Sequence, residues 1–229
     1  MVRYLIGTGI FFIFWLIFYV HRKNLRKEML IMSLLVAPLG PLSEIFYFRD
    51  YWNPDYIFSI FGVGIEDLLF AFFIGGIGAV AYEELFIKKI RKTKRDQSKS
   101  LAIIGILGLI IFVVLTIVLK MNSIYSSSIV FILGGLIIVY KRKDLLKNAI
   151  GNGILVAMIM LLFYIIFTSI FPSVINDWWQ LHNLSGFFLG GAPVEEILWG
   201  FCWGFLSGPL YEFWRGYKEI EYSKNKLSP

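Results

Sequence analysis

Five carboxylates interrupt long apolar stretches of this chain: Glu44, Glu66, Asp67, Glu195 and Glu196. An ionised carboxylate at the centre of a membrane helix costs on the order of 2.5–3.5 kcal/mol on insertion scales. Residues that expensive mark proton or cation chemistry. In two of the stretches the pattern is the same. Glu66-Asp67 is followed by Phe70, and Glu195-Glu196 by Trp199, each aromatic four residues after its glutamate. Aromatic faces stabilise cations. Burial, a neighbouring carboxylate and a helix terminus act in opposite directions on such acids, which suits a site holding one acid and one base. A dry acid beside π-faces fits protonation of an alkene to a carbocation. The expected catalytic set is Glu66, Asp67, Glu195 and Glu196, with Glu44 as a shallower additional acid. Phe70, Phe73, Trp199 and Trp203 are the expected lining.

The elements that would position these groups are membrane helices. Of 229 residues, 58% are hydrophobic and 17% charged, and the mean hydropathy is +0.71. Soluble domains have about 45–50% apolar and about 25% charged residues. That excludes an ordinary soluble domain, a disordered chain and a disulfide scaffold. Seven apolar segments can be read as spans: 4–20, 29–48, 57–86, 101–119, 124–140, 148–171 and 183–214. Lys and Arg divide 19 to 3 between alternate ends of these segments. The positive-inside rule then puts the N-terminus outside and the C-terminus in the cytoplasm. It also accounts for the net charge of +6 without nucleic acid. Tyr47, Tyr51, Trp52, Tyr56, Trp178 and Trp179 fall at the outer ends, as interfacial anchors would. On this helix reading both acidic pairs lie about ten residues into their spans, roughly 15 Å deep at 1.5 Å per residue.

Two parts of the chain resemble one another. Residues 65–70 align with 194–199 at an offset of 129, and the same offset brings Tyr82-Glu83 onto Tyr211-Glu212. Arg22-Lys23-Asn24-Leu25 resembles Arg142-Lys143-Asp144-Leu145. The expected organisation is all-α: a first repeat and basic linker (1–100), a connecting helix (101–123), a second repeat (124–216) and a polar, frayed cytoplasmic tail (217–229). Repeats four spans apart run in the same direction, related by an axis along the membrane normal. Small residues recur at three or four along 64–82 and along 193–211, so these two helices are expected to pack at that axis and to bring Asp67 next to Glu196.

At this point the motif resembles that of the lycopene cyclase domain, the small integral-membrane cyclases of the carotenoid pathway. Their signature is Pro-x-Glu-Glu-x-x-Phe/Trp, once per repeat. The second copy here is Pro193-Val194-Glu195-Glu196-Ile197-Leu198-Trp199, and the first is Gly64-Ile65-Glu66-Asp67-Leu68-Leu69-Phe70. Trp52-Asn53-Pro54-Asp55-Tyr56-Ile57 is also similar to that domain. The first copy departs in lacking the proline and in having Asp67 for the second glutamate. The resemblance implies a redox-neutral, cofactor-free isomerisation: an acid protonates the end of an acyclic carotenoid or related isoprenoid, the neighbouring double bond closes a ring, and a carboxylate removes a proton. Glu66 and Glu195 are the expected donor or acceptor and Asp67 and Glu196 their partners; which is acid and which is base stays open.

Other features narrow the alternatives. A proton- or cation-coupled transporter would use the same carboxylates. No histidine follows Glu195-Glu196 as a CAAX-type protease would need, and the last span has no lysine for a retinal Schiff base. There is no Gly-x-Gly-x-x-Gly or Walker A sequence. His21 and His182 lie far apart in the chain and Cys202 is single, so no metal site is expected. The partners implied are a hydrophobic substrate drawn from the bilayer, membrane lipid, and other enzymes of the pathway.

Overall fold

The computed structural model describes residues 2–57, 59–60, 63–92 and 96–221; most of the tail, 222–229, lies outside them. The chain is mostly helical, at 79%. Its helices are α1 (Arg3–His21), α2 (Arg26–Val36), α3 (Leu39–Asp50), α4 (Ile65–Phe86), α5 (Ser98–Val113), α6 (Ser123–Lys141), α7 (Leu146–Ile170), α8 (Val174–Trp178) and α9 (Val194–Arg215). Two-residue hairpins precede the motif helices: β1 (Ser59–Ile60) with β2 (Val63–Gly64), and β4 (Phe188–Leu189) with β5 (Ala192–Pro193). The strands β3 (Ile87–Lys92) and β6 (Tyr217–Glu221) pair antiparallel. The basic linker and the start of the expected frayed tail therefore pair with each other.

Among the described residues, five helices are long and apolar enough to cross a membrane, or six if α2 and α3 form one broken span. Seven spans were expected. The difference is α9, 22 residues long, in which Glu195, Glu196, Glu212 and Arg215 interrupt the apolar sequence. The expected continuous segment 29–48 is broken at Ala37-Pro38, and α2 and α3 diverge by 46°. Proline has no N–H for the preceding turn and its ring collides with the carbonyl four residues back.

A larger correction concerns where the motif helices begin. The expected helix 57–86 starts only at Ile65, because Ser59 and Ile60 pair with Gly64 and Val63. The Gly64 amide donates to Asp67 Oδ2 at 2.9 Å, which satisfies one of the free N–H groups of a helix start. In the last segment, Gly190 and Gly191 have φ of +60° and +84°, a left-handed backbone that glycine adopts freely, and Pro193 then opens α9. Glu66-Asp67 and Glu195-Glu196 are thus the second and third residues of their helices, not about ten residues into them. Some 19 residues of helix follow each pair, about 28 Å. The acids stand at one end of the helix bundle rather than halfway along it.

α4 and α9 form the centre. α4 contacts α1, α2, α3, α7 and α9, and α9 contacts α4, α6 and α7. In α4 67% of the span is buried, against 11% for the span containing α5, which is peripheral. The seam between α4 and α9 is built from close contacts. Trp203 Nε1 donates to Ile74 O at 3.1 Å, and Ser207 Oγ donates to Gly78 O at 2.9 Å. A Cβ on Gly78 would lie 2.5 Å from Trp203 Nε1, so only glycine permits this approach. Asn152 of α7 locks the seam. Its side chain accepts from Tyr82 N at 2.9 Å and donates to Gly78 O at 2.6 Å and Gly204 O at 2.8 Å. An apolar replacement leaves buried backbone groups unpaired at about 1–3 kcal/mol each. Asn152→Leu, which removes all three bonds, and Asn152→Asp, which keeps the acceptor for Tyr82 N but turns an oxygen toward the Gly78 and Gly204 carbonyls, are both expected to lower the thermal midpoint in detergent well below native, followed by tryptophan fluorescence.

The far ends of α4 and α9 are capped alike. Arg22 Nη1 donates to Glu83 O and Ile87 O, and Arg142 donates to Glu212 O and Tyr217 O. Cations there complement the helix dipole.

Candidate active site

The two acids of each motif do different work. The first glutamate ties down the segment ahead of its helix. Glu66 Oε1 accepts from Ile57 N at 3.1 Å, and Glu195 Oε1 accepts from Ser185 N at 2.7 Å and from Tyr125 Oη at 2.6 Å. In both, the second oxygen, Oε2, is buried and has no hydrogen-bond partner among the described residues. Glu66 is 0% and Glu195 2% exposed, so these are acidic oxygens kept from water.

The second acid of each pair is ringed by donors. Asp67 accepts from Gly64 N, Tyr4 Oη at 2.9 Å and Tyr56 Oη at 3.0 Å. Glu196 accepts from Tyr51 Oη, Trp179 Nε1 at 2.8 Å and Tyr164 Oη. The halves differ because Gly64 carries an amide hydrogen and Pro193, at the corresponding place, does not. Asp67 bends back to cap its own helix; Glu196 is released toward the aromatic residues. Asp67 and Glu196, expected to lie close together, each have a full set of donors. Their donor sets share no member and communicate through rings: Tyr4 against Trp52 at 5.2 Å, and Trp52 against Trp179 at 5.4 Å. Glu44 joins the Asp67 side. It accepts from Trp52 Nε1 at 3.0 Å and lies close enough to Asp67 for their charges to interact.

The aromatic residues read as interfacial anchors are therefore largely internal. Tyr51 is 3% exposed, Trp178 3% and Trp179 5%. Tyrosine and tryptophan bring a polar tip to buried acids while filling apolar space. Tyr4, Tyr125 and Tyr164 were not anticipated at all. The available signal was the crowding of polar-tipped aromatics at the same chain ends as four costly acids.

Below the acids lies a row of rings. Phe70 and Trp199 face one another across the α4–α9 seam with centroids 6.4 Å apart, flanked by Phe11 at 5.1 Å from Phe70 and Trp203 at 6.4 Å from Trp199. Glu66 and Glu195 each precede this pair by one helical turn and share its face, since positions i and i+4 lie together. Phe73 packs on Phe12 and Trp15 of α1.

The outer rim is held by charge. Arg3 donates to Asp55 Oδ2 at 2.7 Å and Asp177 Oδ2 at 2.5 Å, and sits over the Trp178 ring at 5.1 Å. The Arg3 guanidinium holds the carboxyls of Asp55 and Asp177 below the usual range. A depressed folded-state pKa adds stability above the ordinary value of about 4 and loses it as pH falls through the folded value. The thermal-midpoint gap between native protein and Arg3→Gln should be full at pH about 6 and close as the pH drops below about 4; a gap independent of pH would exclude this latch.

At the opposite end of α4 and α9, Glu28, Glu83 and Glu212 are buried and bring carboxylate oxygens within 4.8 Å of one another. The absence of a metal site was inferred from histidines, so this all-carboxylate group was missed, although Glu83 and Glu212 stood in the repeat alignment.

Comparison with known families bears on the second motif directly. Residues 122–214 match the family model described as lycopene cyclase. These residues belong to the lycopene cyclase family. The lycopene cyclase match contains Glu195, Glu196, Trp199 and Trp203, and supports carotenoid cyclisation in general terms. Glu44, Glu66, Asp67, Phe70 and Phe73 lie outside it. Neither a curated protein nor a solved structure matches the chain.

Proposed function

We propose that this chain is an integral membrane enzyme that closes a ring on an acyclic carotenoid or related isoprenoid by proton transfer, without a cofactor. The observation that carries the reading is the pair of buried glutamates, each keeping one oxygen without a partner among the described residues, one turn from the Phe70–Trp199 rings. A proton on such an oxygen can be given to a terminal alkene. The cation formed lies beside aromatic faces, where attraction offsets its desolvation. Attack by the next double bond closes the ring, and loss of a proton to a carboxylate ends the reaction. Asp67 and Glu196, each held by three donors, stand as fixed negative partners to the passing cation.

We further infer seven spans, counting α2–α3 as one and including α9, with two repeats at 1–100 and 124–216 joined by 101–123. The contacts at the seam support this. Phe70 with Trp199, Ile74 with Trp203 and Gly78 with Ser207 are all 129 residues apart, and the two hairpins pair in the same register at that offset. The positive-inside pattern places the acid end outside and residues 217–229 in the cytoplasm. Substrate then enters sideways from the bilayer, beside lipid and other enzymes of the pathway. Nothing in the family match favours the transporter alternative.

The test is expression in bacteria that accumulate lycopene, with chromatographic analysis of pigment. Cyclised product is expected, and the double variant Glu66→Gln/Glu195→Gln should lose it while remaining in the membrane. Unchanged lycopene alongside well-inserted native protein would remove lycopene as substrate.

A further inference from the structure

Glu66 and Glu195, whose Oε2 atoms have no partner among the described residues, are not equivalent, and α6 contributes to the difference. Glu195 Oε1 receives two short hydrogen bonds, from Tyr125 Oη at 2.6 Å and Ser185 N at 2.7 Å. Glu66 Oε1 receives one, from Ile57 N at 3.1 Å. Both stand in the first turn of a 22-residue helix, so the helix dipole favours the anion equally. The Ser185 side chain also bonds to Glu195, from the segment just ahead of α9; the donor brought in by another helix is the Tyr125 hydroxyl of α6. In the repeat alignment set by Arg22 and Arg142, Tyr125 corresponds to Leu5, which has nothing to donate. Short bonds to a charged oxygen are about twice as strong as neutral ones, so the second donor selects the ionised form of Glu195 over that of Glu66.

We propose that Tyr125 is the positioning residue that divides the labour: Glu66 is the acid that starts the reaction, and Glu195 is the carboxylate that ends it. This rests on the cyclisation reading above. The Glu66 O–H bond breaks and its proton joins the terminal alkene carbon, whose π electrons form the new C–H bond. The adjacent carbon becomes cationic, and the next double bond supplies two electrons to close the ring. A C–H bond beside the new cation then breaks. Its proton goes to Glu195 Oε2 and its electrons form the ring double bond. Substrate and product are isomers. The proton left on Glu195 returns to Glu66 before the next turnover, by exchange at the rim where Ser185 and Ile57 approach the surface.

Because a missing acid and a missing base fail differently, products distinguish the roles. In lycopene-accumulating cells Glu66→Gln should leave lycopene unreacted. Glu195→Gln should still form the cation but not remove its C–H proton, so a water entering from the rim captures it, gives its extra proton back to the Glu66 carboxylate, and leaves a product heavier by one water. Tyr125→Phe should cyclise about tenfold more slowly, the effect of one charge-assisted hydrogen bond, and divert part of the flux to the same hydrated product. Hydrated product from Glu66→Gln with none from Glu195→Gln would reverse the roles and overturn the proposal. So would Tyr125→Phe matching the native rate and products. If Glu195→Gln does not accumulate in the membrane, Tyr125→Phe, which removes a single oxygen atom, decides alone. Infrared spectra of native and variant membranes give a readout that needs no turnover. Because other buried acids also absorb there, difference spectra are used: native minus Glu66→Gln at neutral pH should show one protonated-carboxyl component, and native minus Glu195→Gln none; the opposite pattern overturns the proposal even if lycopene proves not to be the substrate. Native protein that leaves lycopene intact while showing the expected infrared pattern would sink the cyclisation of lycopene and not the assignment of the acid.

Discussion

Glu196→Leu is expected to unfold the acid end of the bundle at a far lower temperature than the native protein. Tyr51 Oη, Tyr164 Oη and Trp179 Nε1 all donate to this one carboxylate, and Tyr51 and Tyr164 are 3% and 4% exposed. None of them has water to turn to when the acceptor disappears. An orphaned buried donor costs about 1–3 kcal/mol, so three give a loss on the order of 5 kcal/mol. Glutamine keeps an oxygen of the same reach, so Glu196→Gln should lose only about 1–2 kcal/mol, the difference between charged and neutral hydrogen bonds. It separates structure from chemistry. If Glu196 also serves as a fixed anion beside the cation, Glu196→Gln will fold and yet cyclise at least tenfold more slowly. Thermal midpoints in detergent micelles, with near-ultraviolet dichroism of the tryptophans, measure the first effect, and pigment analysis the second. A leucine variant as stable as the native protein would mean that these donors find other partners, and the belt would not depend on Glu196.

What was legible in the sequence was residue type; what was hidden was partnership. Glu66, Asp67, Glu195 and Glu196 stand out because charge is costly in apolar runs, and Phe70 and Trp199 because their spacing after each glutamate repeats. Their facing placement follows from the small-residue stripes, which the seam contacts at Ile74 and Gly78 realise. The start of α4 was not legible. Ile57 to Ile65 is apolar enough to continue a helix, and hydropathy does not separate a short hairpin from a buried turn of helix. The glycines at 62 and 64 were the available warning. The donors to the acids were hidden for another reason. Tyr51 and Glu196 are 145 residues apart and Tyr4 and Asp67 are 63 apart, so no local pattern connects them. Tyr47, Tyr51 and Trp179 read as anchors to lipid rather than as partners of buried groups, because an interfacial belt and a hydrogen-bonding belt need the same residue types. Glu28 approaches Glu83 and Glu212 only through the packing of α2 on α4.

Gly40→Val should disable both folding and chemistry, because no side chain fits where α3 meets α4. A Cβ at residue 40 would stand 2.2 Å from Asp67 O and 2.7 Å from Ala71 Cβ. The first obstacle is a backbone carbonyl in the opening turn of α4, which cannot rotate aside as a long side chain can. The helices must separate instead. α3 carries Glu44 and Tyr47 and leads into Tyr51, and each of these holds a place by hydrogen bonds to groups on other elements. A displacement of about 1 Å at a reacting centre can cost about a hundredfold in rate, and a core overpacked by this much loses about 1–3 kcal/mol or more. Gly40→Ala meets the same carbonyl with its single methyl and should show both losses in reduced form. Gly105→Ala is the control, since nothing lies within 4 Å of a Cβ at that position of α5 and alanine favours helix by about 1 kcal/mol over glycine. Cyclised product and thermal midpoint measured on the three variants should rank Gly105→Ala at or above native, Gly40→Ala lower and Gly40→Val lowest. Equal activity in Gly40→Val and native protein would show that the contact between α3 and the first turn of α4 does not set the position of the acids.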